Sequence, residues 1–153
     1  MVLVILAIAA SIVIPFAGDN NAGRLRASAE LLAADIEDIQ ARALAEPTDP
    51  VRLRVDDDGA GWWLEHVNDP GTPLEGIDGR PVIRRMGAEA LAGIDNVVIR
   101  VRDLPEEGLQ FDDQGAPVEL ANSILFELET RESEDRLQVE VSASTGRTSI
   151  TRP

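Results

Sequence analysis

The chain begins with a long stretch of apolar residues. Residues 1–18, MVLVILAIAASIVIPFAG, contain no charged side chain. Ile, Val, Leu and Ala lie on every side of a helical wheel, a pattern typical of a helix surrounded by lipid or by other helices. At about 1.5 Å per residue, residues 1–17 would reach roughly 25 Å, slightly less than the ~30 Å hydrocarbon core of a bilayer. The residues predicted to line this apolar helix are Val2, Leu3, Ile5, Leu6, Ile8, Ile12, Ile14 and Pro15.

The start of this stretch is abrupt. A cleaved signal peptide carries a basic region before its apolar part, whereas here the apolar residues begin at Met1 itself. The pattern favours a true start upstream of Met1, with a short signal-anchor as the alternative.

Pro15 marks the predicted end of the apolar helix. Proline lacks a backbone N–H and clashes with the preceding turn, and Gly18 and Gly23 weaken helicity just after it. The sequence therefore predicts a kink near Pro15 and a flexible joint over residues 15–23. We expect residues 1–23 to form an apolar helix with its joint and residues 24–153 to form a globular head.

The head is predicted to begin with an amphipathic helix over residues 24–46. Leu25, Leu32, Ile36 and Ile39 recur at helical spacing, so they fall on one face of that helix. Pro47 disfavours helical geometry in the residue before it and so ends the helix. We expect the apolar face to pack on the head's own sheet.

Residues 51–151 change to the alternating pattern of strands. Residues 51–66 predict a hairpin around the turn at 56–59, with the adjacent Trp62 and Trp63 on opposite faces. Residues 67–81, rich in Pro, Gly, Asp and Asn, predict a long connection, and loops of this kind often carry recognition. Further strands are predicted at 82–83, 97–102, 108–111, 124–129, 137–141 and 147–150.

Two parts of the sequence resemble a known family. The apolar run from Val2 to Ala10, followed by Ile14-Pro15, resembles the N-terminal helix of type IV pilins and type II secretion pseudopilins. The segments Leu109-Gln110-Phe111 with Gly115, the aliphatic strand 124–128, and Val139-Glu140-Val141-Ser142 running to Thr145-Gly146-Arg147 are similar to the GspH/FimT group of minor pseudopilins. The family's leader and its assembly glutamate do not occur after Met1, so the resemblance implies an N-terminally truncated prepilin motif.

The resemblance implies an α+β fold in which a long N-terminal helix, kinked near Pro15, packs on an antiparallel β-rich head of two small sheets. It also implies a structural subunit of a type II secretion pseudopilus or a type IV pilus. Such a subunit lies in the bacterial inner membrane with its head in the periplasm, and it assembles through its N-terminal helix with other pseudopilins or pilins and with the secretion or pilus machinery. The alternative is a membrane-anchored periplasmic β-domain, ligand-binding or chaperone-like; the reading frame upstream of Met1 distinguishes the two.

The charge balance argues against nucleic acid as a partner. The formal net charge is -14, from 28 acidic and 14 basic residues. Nucleic-acid binding proteins present a basic stripe that releases counterions from phosphates, and the sequence holds only the pair Arg84 and Arg85. The absence of cysteine removes disulfides and thiolate chemistry.

Catalytic chemistry finds little support. His66 is the only histidine, and its place in a predicted strand beside two tryptophans favours a structural role. We predict no enzymatic activity and no bound cofactor. Acidic turns offer the oxygen ligands that calcium prefers, so Asp56 and Asp58 are the candidate ligands of a calcium ion.

Overall fold

The computed structural model describes residues 21–131 and 134–153. The predicted apolar helix, its kink at Pro15 and the first part of the joint lie outside these ranges. Within them, one α-helix is followed by eight strands and a short 3₁₀ turn at Glu89–Leu91. The helix is α1 (Asn21–Ala45), and the strands are β1 (Val51–Val55), β2 (Gly61–His66), β3 (Ile83–Arg85), β4 (Val97–Arg102), β5 (Leu109–Gln110), β6 (Ile124–Thr130), β7 (Arg136–Val141) and β8 (Thr148–Thr151).

Helix α1 includes residues that the sequence assigned to the joint. Asn21, Ala22 and Gly23 are helical, so the predicted joint does not extend past residue 20. The Asn21 side chain is buried and its Oδ1 accepts a hydrogen bond from Asn96 Nδ2 at 3.1 Å, which attaches this part of the helix to the head. That attachment offsets the cost of about 1 kcal/mol that Gly23 carries relative to Ala in a helix.

The strands form two four-stranded antiparallel sheets. The first sheet has the order β3-β2-β1-β5, and the second has the order β4-β6-β7-β8. In the first, the predicted hairpin pairs Val51 with His66 and Val55 with Trp62. In the second, β6 pairs with β7 from Ile124 opposite Val141 to Glu129 opposite Arg136. The predicted architecture of one helix on two small antiparallel sheets is confirmed.

The core lies between α1 and the two sheets. Leu25, Leu32, Ile36 and Ile39 are all buried on the side of α1 that contacts β1, β6, β7 and β8. The largest fully buried side chains of the sheets are Trp62, Phe111 and Phe126. Trp63 is only partly buried and Arg54 lies over its ring, because the strand alternation turns it to the opposite face from Trp62.

Two glycine turns meet on the C-terminal half of α1. Gln40 Nε2 donates hydrogen bonds to the carbonyl oxygens of Gly115 at 2.6 Å and Thr145 at 3.3 Å. Gly146 has φ +66°, and a Cβ there would lie 2.5 Å from the Gly115 carbonyl oxygen and 2.7 Å from the Phe111 ring. Only glycine permits both this backbone conformation and this close approach.

Within residues 21–131 and 134–153, no helix has the length and apolar character needed to cross a membrane. Helix α1 is amphipathic, with acidic and basic residues such as Glu30 and Arg42 on its outer side.

Candidate functional site

The most exposed apolar side chain of the described head lies in the connection between β2 and β3. We call residues 67–81 the β2–β3 loop. Its two halves are hydrogen-bonded to each other and to β2: Leu74 N–H donates to the Leu64 carbonyl at 2.6 Å, and Val82 N–H donates to the Leu74 carbonyl at 2.7 Å. Leu74 is buried. The loop is therefore built onto the edge of the first sheet, whereas the sequence had predicted only a long connection.

The tip of this loop is a tight turn that presents one isoleucine. Gly76 N–H donates to the Arg80 carbonyl at 2.7 Å, and Gly79 N–H donates to the Gly76 carbonyl at 2.9 Å, which closes a β-turn. Ile77 stands at the first central position with a relative exposure of 106%. The turn thus fixes the position of an apolar side chain that touches almost nothing of its own head.

A buried glutamate fixes the base of the loop. Glu65 is 2% exposed, and its Oε2 accepts hydrogen bonds from the Gly71 N–H and the Trp63 indole N–H, both at 2.9 Å. Its Oε1 lies 2.7 Å from Arg52 Nε. One carboxylate therefore joins two neighbouring strands, a tryptophan and the first part of the β2–β3 loop.

These contacts keep Glu65 ionised. Burial alone would raise the pKa of the carboxyl group, but hydrogen bonds from Trp63, Gly71 and Arg52, together with the positive charge of Arg52, lower the pKa below its usual value. Arg52 is itself buried, with 8% of its side chain exposed. Each member of this pair needs the other, because an isolated buried charge is costly.

A second buried carboxylate fastens α1 to the first sheet. Asp35 Oδ2 accepts hydrogen bonds from Trp62 Nε1 at 2.8 Å and from Arg84 Nε at 3.1 Å. Asp35 is 7% exposed and lies beside Ile36 on the buried side of the helix. Together with the Gln40 contacts, this cluster fixes the orientation of the head on the helix at two points.

The predicted site residues are distributed as follows. Leu25, Leu32, Ile36 and Ile39 lie in the helix–sheet core described above, and Val2 to Pro15 lie outside the described residues. Asp56 and Asp58 occupy the β1–β2 turn, where their Oδ2 atoms face Arg85 guanidinium nitrogens at 3.8 and 3.6 Å. In the described part of the chain, no group of three or more His, Cys, Asp or Glu side chains is arranged to hold a metal ion. The calcium site stays a prediction.

His66 lies at the end of β2, half-exposed, with Nδ1 3.0 Å from Asp49 Oδ1. Asp49 lies in the segment between α1 and β1, so this contact links the end of β2 to that segment.

Sequence reasoning missed the burial of Asp35 and Glu65. Asp35 lies at a helical step of three residues from Leu32, so its position on the apolar face was readable from the sequence. A carboxylate on that face requires a donor, and the indole N–H groups and Arg84 were available. Glu65 gave a similar signal as an acid inside a strand of large apolar residues.

Comparison with known proteins supports the fold. No protein-family model and no curated protein matches the sequence. Among solved structures, the head is similar to the minor pseudopilin EpsH from the type 2 secretion system of Vibrio cholerae, with a TM-score of 0.63 and 12% sequence identity. The similarity covers 85% of this chain and 98% of the EpsH chain. The chain therefore has the pilin-like α+β fold of a minor pseudopilin, with an N-terminal helix packed on two antiparallel sheets.

Proposed function

We propose that this chain is a minor pseudopilin, a structural subunit of a type II secretion pseudopilus, or of a type IV pilus, that assembles through its apolar N-terminal helix. The observation that carries the proposal is the pairing of an uncharged run over residues 1–18 with a head whose fold is similar to that of EpsH. Before assembly the subunit lies in the inner membrane with its head in the periplasm. It has no catalytic role.

The attachment of head to helix supports this mechanism. Extraction from the membrane moves the apolar helix, and the head follows because the chain is continuous. Contacts that hold the sheets on α1 give the head a defined position relative to that helix. Three sets of contacts serve this purpose: the buried apolar stripe of α1, the Asp35 cluster and the Gln40 contacts. Breaking them would leave the helix able to assemble but unable to position the head.

The β2–β3 loop supplies the head's recognition surface in this proposal. A buried apolar side chain contributes about 1.5–3 kcal/mol on transfer from water, and Ile77 is exposed at a turn whose base is fixed by Glu65. Three acidic residues and one basic residue lie in the loop, Asp69, Glu75, Asp78 and Arg80. The partner surface that fits is an apolar pocket with a basic rim on another pseudopilin or on an exported protein.

Secretion assays in a strain deleted for the gene test the proposal. The wild-type chain restores export, whereas Leu6→Asp, which places a charge in the apolar run, abolishes it while the head remains folded. Export by Leu6→Asp at the wild-type level would contradict assembly through this helix and would favour a membrane-anchored β-domain.

The recognition surface has its own test. Ile77→Asp is expected to reduce export several-fold with an unchanged melting temperature, because the side chain contacts solvent and not the core. Leu44→Asp is the matched control: Leu44 is also an exposed apolar residue, at 55%, but lies at the end of α1. Equal effects of the two substitutions would show that the β2–β3 loop has no special role.

A further inference from the structure

Aspartate is followed by glycine at two places in the sequence, Asp58-Gly59 and Asp78-Gly79. This dipeptide can rearrange without an enzyme, because glycine has no side chain to hinder attack of its amide nitrogen on the aspartate carboxyl carbon. The product is isoaspartate, in which the main chain passes through the side-chain carbon atoms. The surroundings of each dipeptide decide whether it reacts in the folded head.

The two dipeptides lie in turns with the same local hydrogen bonds. Each glycine N–H donates to the carbonyl oxygen three residues earlier, at 2.9 Å in both turns. Each aspartate accepts a hydrogen bond at Oδ1 from the amide two residues later, at 2.9 Å for Asp58 and 3.2 Å for Asp78. Gly59 has φ +67° and Gly79 has φ +71°. Local backbone geometry therefore does not distinguish the two dipeptides.

The two carboxylates are also alike in exposure and in their charged neighbours. The Asp58 side chain is 62% exposed and the Asp78 side chain is 65% exposed. Asp58 Oδ2 lies 3.6 Å from Arg85 Nη2, and Asp78 Oδ2 lies 3.9 Å from Arg80 Nε. Access of water and the charge beside the carboxylate therefore do not separate the two turns.

The two glycines differ in their tertiary contacts. Gly59 is buried, and its carbonyl oxygen accepts a hydrogen bond from the Ile99 N–H of β4 at 3.0 Å. A Cβ placed on Gly59 would clash with the Ile99 carbonyl oxygen and would lie 3.0 Å from Val98 Cγ1. Gly79 is exposed, and a Cβ placed on it would have no described atom within 4 Å beyond the adjacent residues. Strand β4 thus holds Gly59, whereas Gly79 is free to move.

The reaction requires the glycine to move. Its amide nitrogen has to leave the hydrogen bond of the turn and approach Cγ of the aspartate, so the peptide group between the two residues rotates. At Asp78 this rotation opens only an exposed loop tip, and such local opening requires little free energy. At Asp58 the rotation also pulls the Gly59 carbonyl away from the Ile99 N–H, which leaves a buried donor without its acceptor.

We propose that Asp78 is a site of spontaneous isoaspartate formation in the folded protein and that the packing of β4 on Gly59 protects Asp58. The Gly79 nitrogen forms a bond to Cγ of the Asp78 carboxyl group in its acid form. The carboxyl OH leaves as water with the amide proton, and the product is a cyclic succinimide.

Addition of water then opens the succinimide in one of two ways. Cleavage of the bond between Cγ and the Gly79 nitrogen restores aspartate. Cleavage of the bond between the main-chain carbonyl carbon of Asp78 and the same nitrogen gives isoaspartate. One water leaves and one water returns, so the rearrangement needs no oxidant, reductant or other co-reactant.

Isoaspartate changes the turn that carries Ile77. It adds one carbon atom to the main chain between Asp78 Cα and the Gly79 nitrogen, and a β-turn closes over four residues of normal length. The hydrogen bond from the Gly79 N–H to the Gly76 carbonyl is lost, and Ile77 no longer has a fixed position. For the recognition role proposed above, and resting on it, this change removes the surface that the partner binds.

The test follows both dipeptides in the full chain, kept in mild detergent at neutral pH and physiological temperature for several weeks. After denaturation, a glutamate-specific protease cuts after Glu65 and Glu75 and so places the two aspartates in different peptides. Transfer of a labelled methyl group by protein isoaspartyl methyltransferase measures isoaspartate in each peptide. We expect isoaspartate to accumulate at Asp78 about tenfold faster than at Asp58, or more.

The same chain unfolded in urea is the matched control, because it keeps both dipeptides and removes the contact of Gly59 with β4. We expect comparable rates at Asp58 and Asp78 in urea. Three results in the folded chain would each overturn the proposal: equal rates at the two aspartates, a faster rate at Asp58, or no isoaspartate at Asp78 over a period in which the unfolded chain forms it.

Asp78→Glu separates the chemistry from other changes on storage. The longer side chain keeps the charge but would have to close a six-membered ring, so we expect no methyl transfer to residue 78. Stored wild-type protein should exchange the amide hydrogens of Gly79 and Arg80 faster than fresh protein, whereas stored and fresh Asp78→Glu should exchange them equally. Equal exchange in fresh and fully converted wild-type protein would contradict the proposed change in the turn.

Discussion

Replacing Glu65 with glutamine tests the buried pair that holds the β2–β3 loop. The substitution keeps the size of the side chain and removes its negative charge. Glu65 and Arg52 have side chains only 2% and 8% exposed. The variant therefore leaves a buried guanidinium whose remaining carboxylate neighbour, Glu107, is 3.9 Å away and largely exposed. Removing one partner of a buried ion pair costs about 3–5 kcal/mol.

The expected loss is large relative to the stability of a small domain. Total unfolding free energies are about 5–15 kcal/mol, so Glu65→Gln should remain folded at room temperature with a melting temperature lower by about 10 °C. Urea unfolding followed by circular dichroism measures the change. Glu107→Gln is the matched control, because Glu107 also lies 3.9 Å from Arg52 but is 85% exposed; we expect a change within about 0.5 kcal/mol.

The pH dependence supplies a second measurement on the same pair of variants. Since the folded-state pKa of Glu65 is lowered, its stabilising contribution is fully present above the unfolded-state pKa of about 4.3 and is lost as the pH falls through the lower folded-state pKa. The wild type and Glu65→Gln should therefore differ most near neutral pH, and the difference should become smaller in acid. A difference below about 0.5 kcal/mol at pH 7, or one that stays constant into acid, would refute this reasoning.

Three further predictions concern the helix, a turn and calcium. Asp35→Ala should lower the unfolding free energy by about 2–4 kcal/mol, because Trp62 Nε1–H and Arg84 lose their buried acceptor; urea unfolding close to wild type would contradict the cluster's role. Gly146→Ala should destabilise by about 2 kcal/mol or more, since alanine strains the positive φ and its Cβ meets the Gly115 carbonyl, and a thermal melt measures it. Calcium binding at Asp56 and Asp58 predicts a melting temperature that rises with millimolar Ca²⁺ and no longer rises in Asp58→Asn; an unchanged wild-type melting temperature disposes of the site.

Much of the fold was predictable because its elements carry clear periodicities. The helical spacing of Leu25, Leu32, Ile36 and Ile39 predicted α1 to within three residues at its start and one at its end. The alternation of residues 51–66 predicted a hairpin that the structure confirms, and the alternation of 124–129 and 137–141 predicted the strands β6 and β7. These features depend on local sequence, and one buried face determines each of them.

The buried side-chain contacts within the head were not predictable, because they depend on which strands become neighbours. Glu65 reaches Arg52 only because β1 and β2 pair in one particular register, and Asp35 reaches Arg84 only because β3 joins the edge of β2. The order β3-β2-β1-β5 has no signature in a single sequence. The exposure of Ile77 depends in the same way on the loop folding back onto β2, which its many prolines and glycines did not indicate.

The central claim is that the apolar N-terminal helix packs among the helices of like subunits. The chain contains no cysteine, so a single cysteine placed at Leu6 or Ile8 reports contacts of that helix without ambiguity. In cells with the complete secretion machinery, we predict crosslinks through either position to other pseudopilin subunits, and their loss when the assembly ATPase is deleted. A chain that stays uncrosslinked at both positions in the assembled system, or crosslinks equally without the ATPase, would contradict the account.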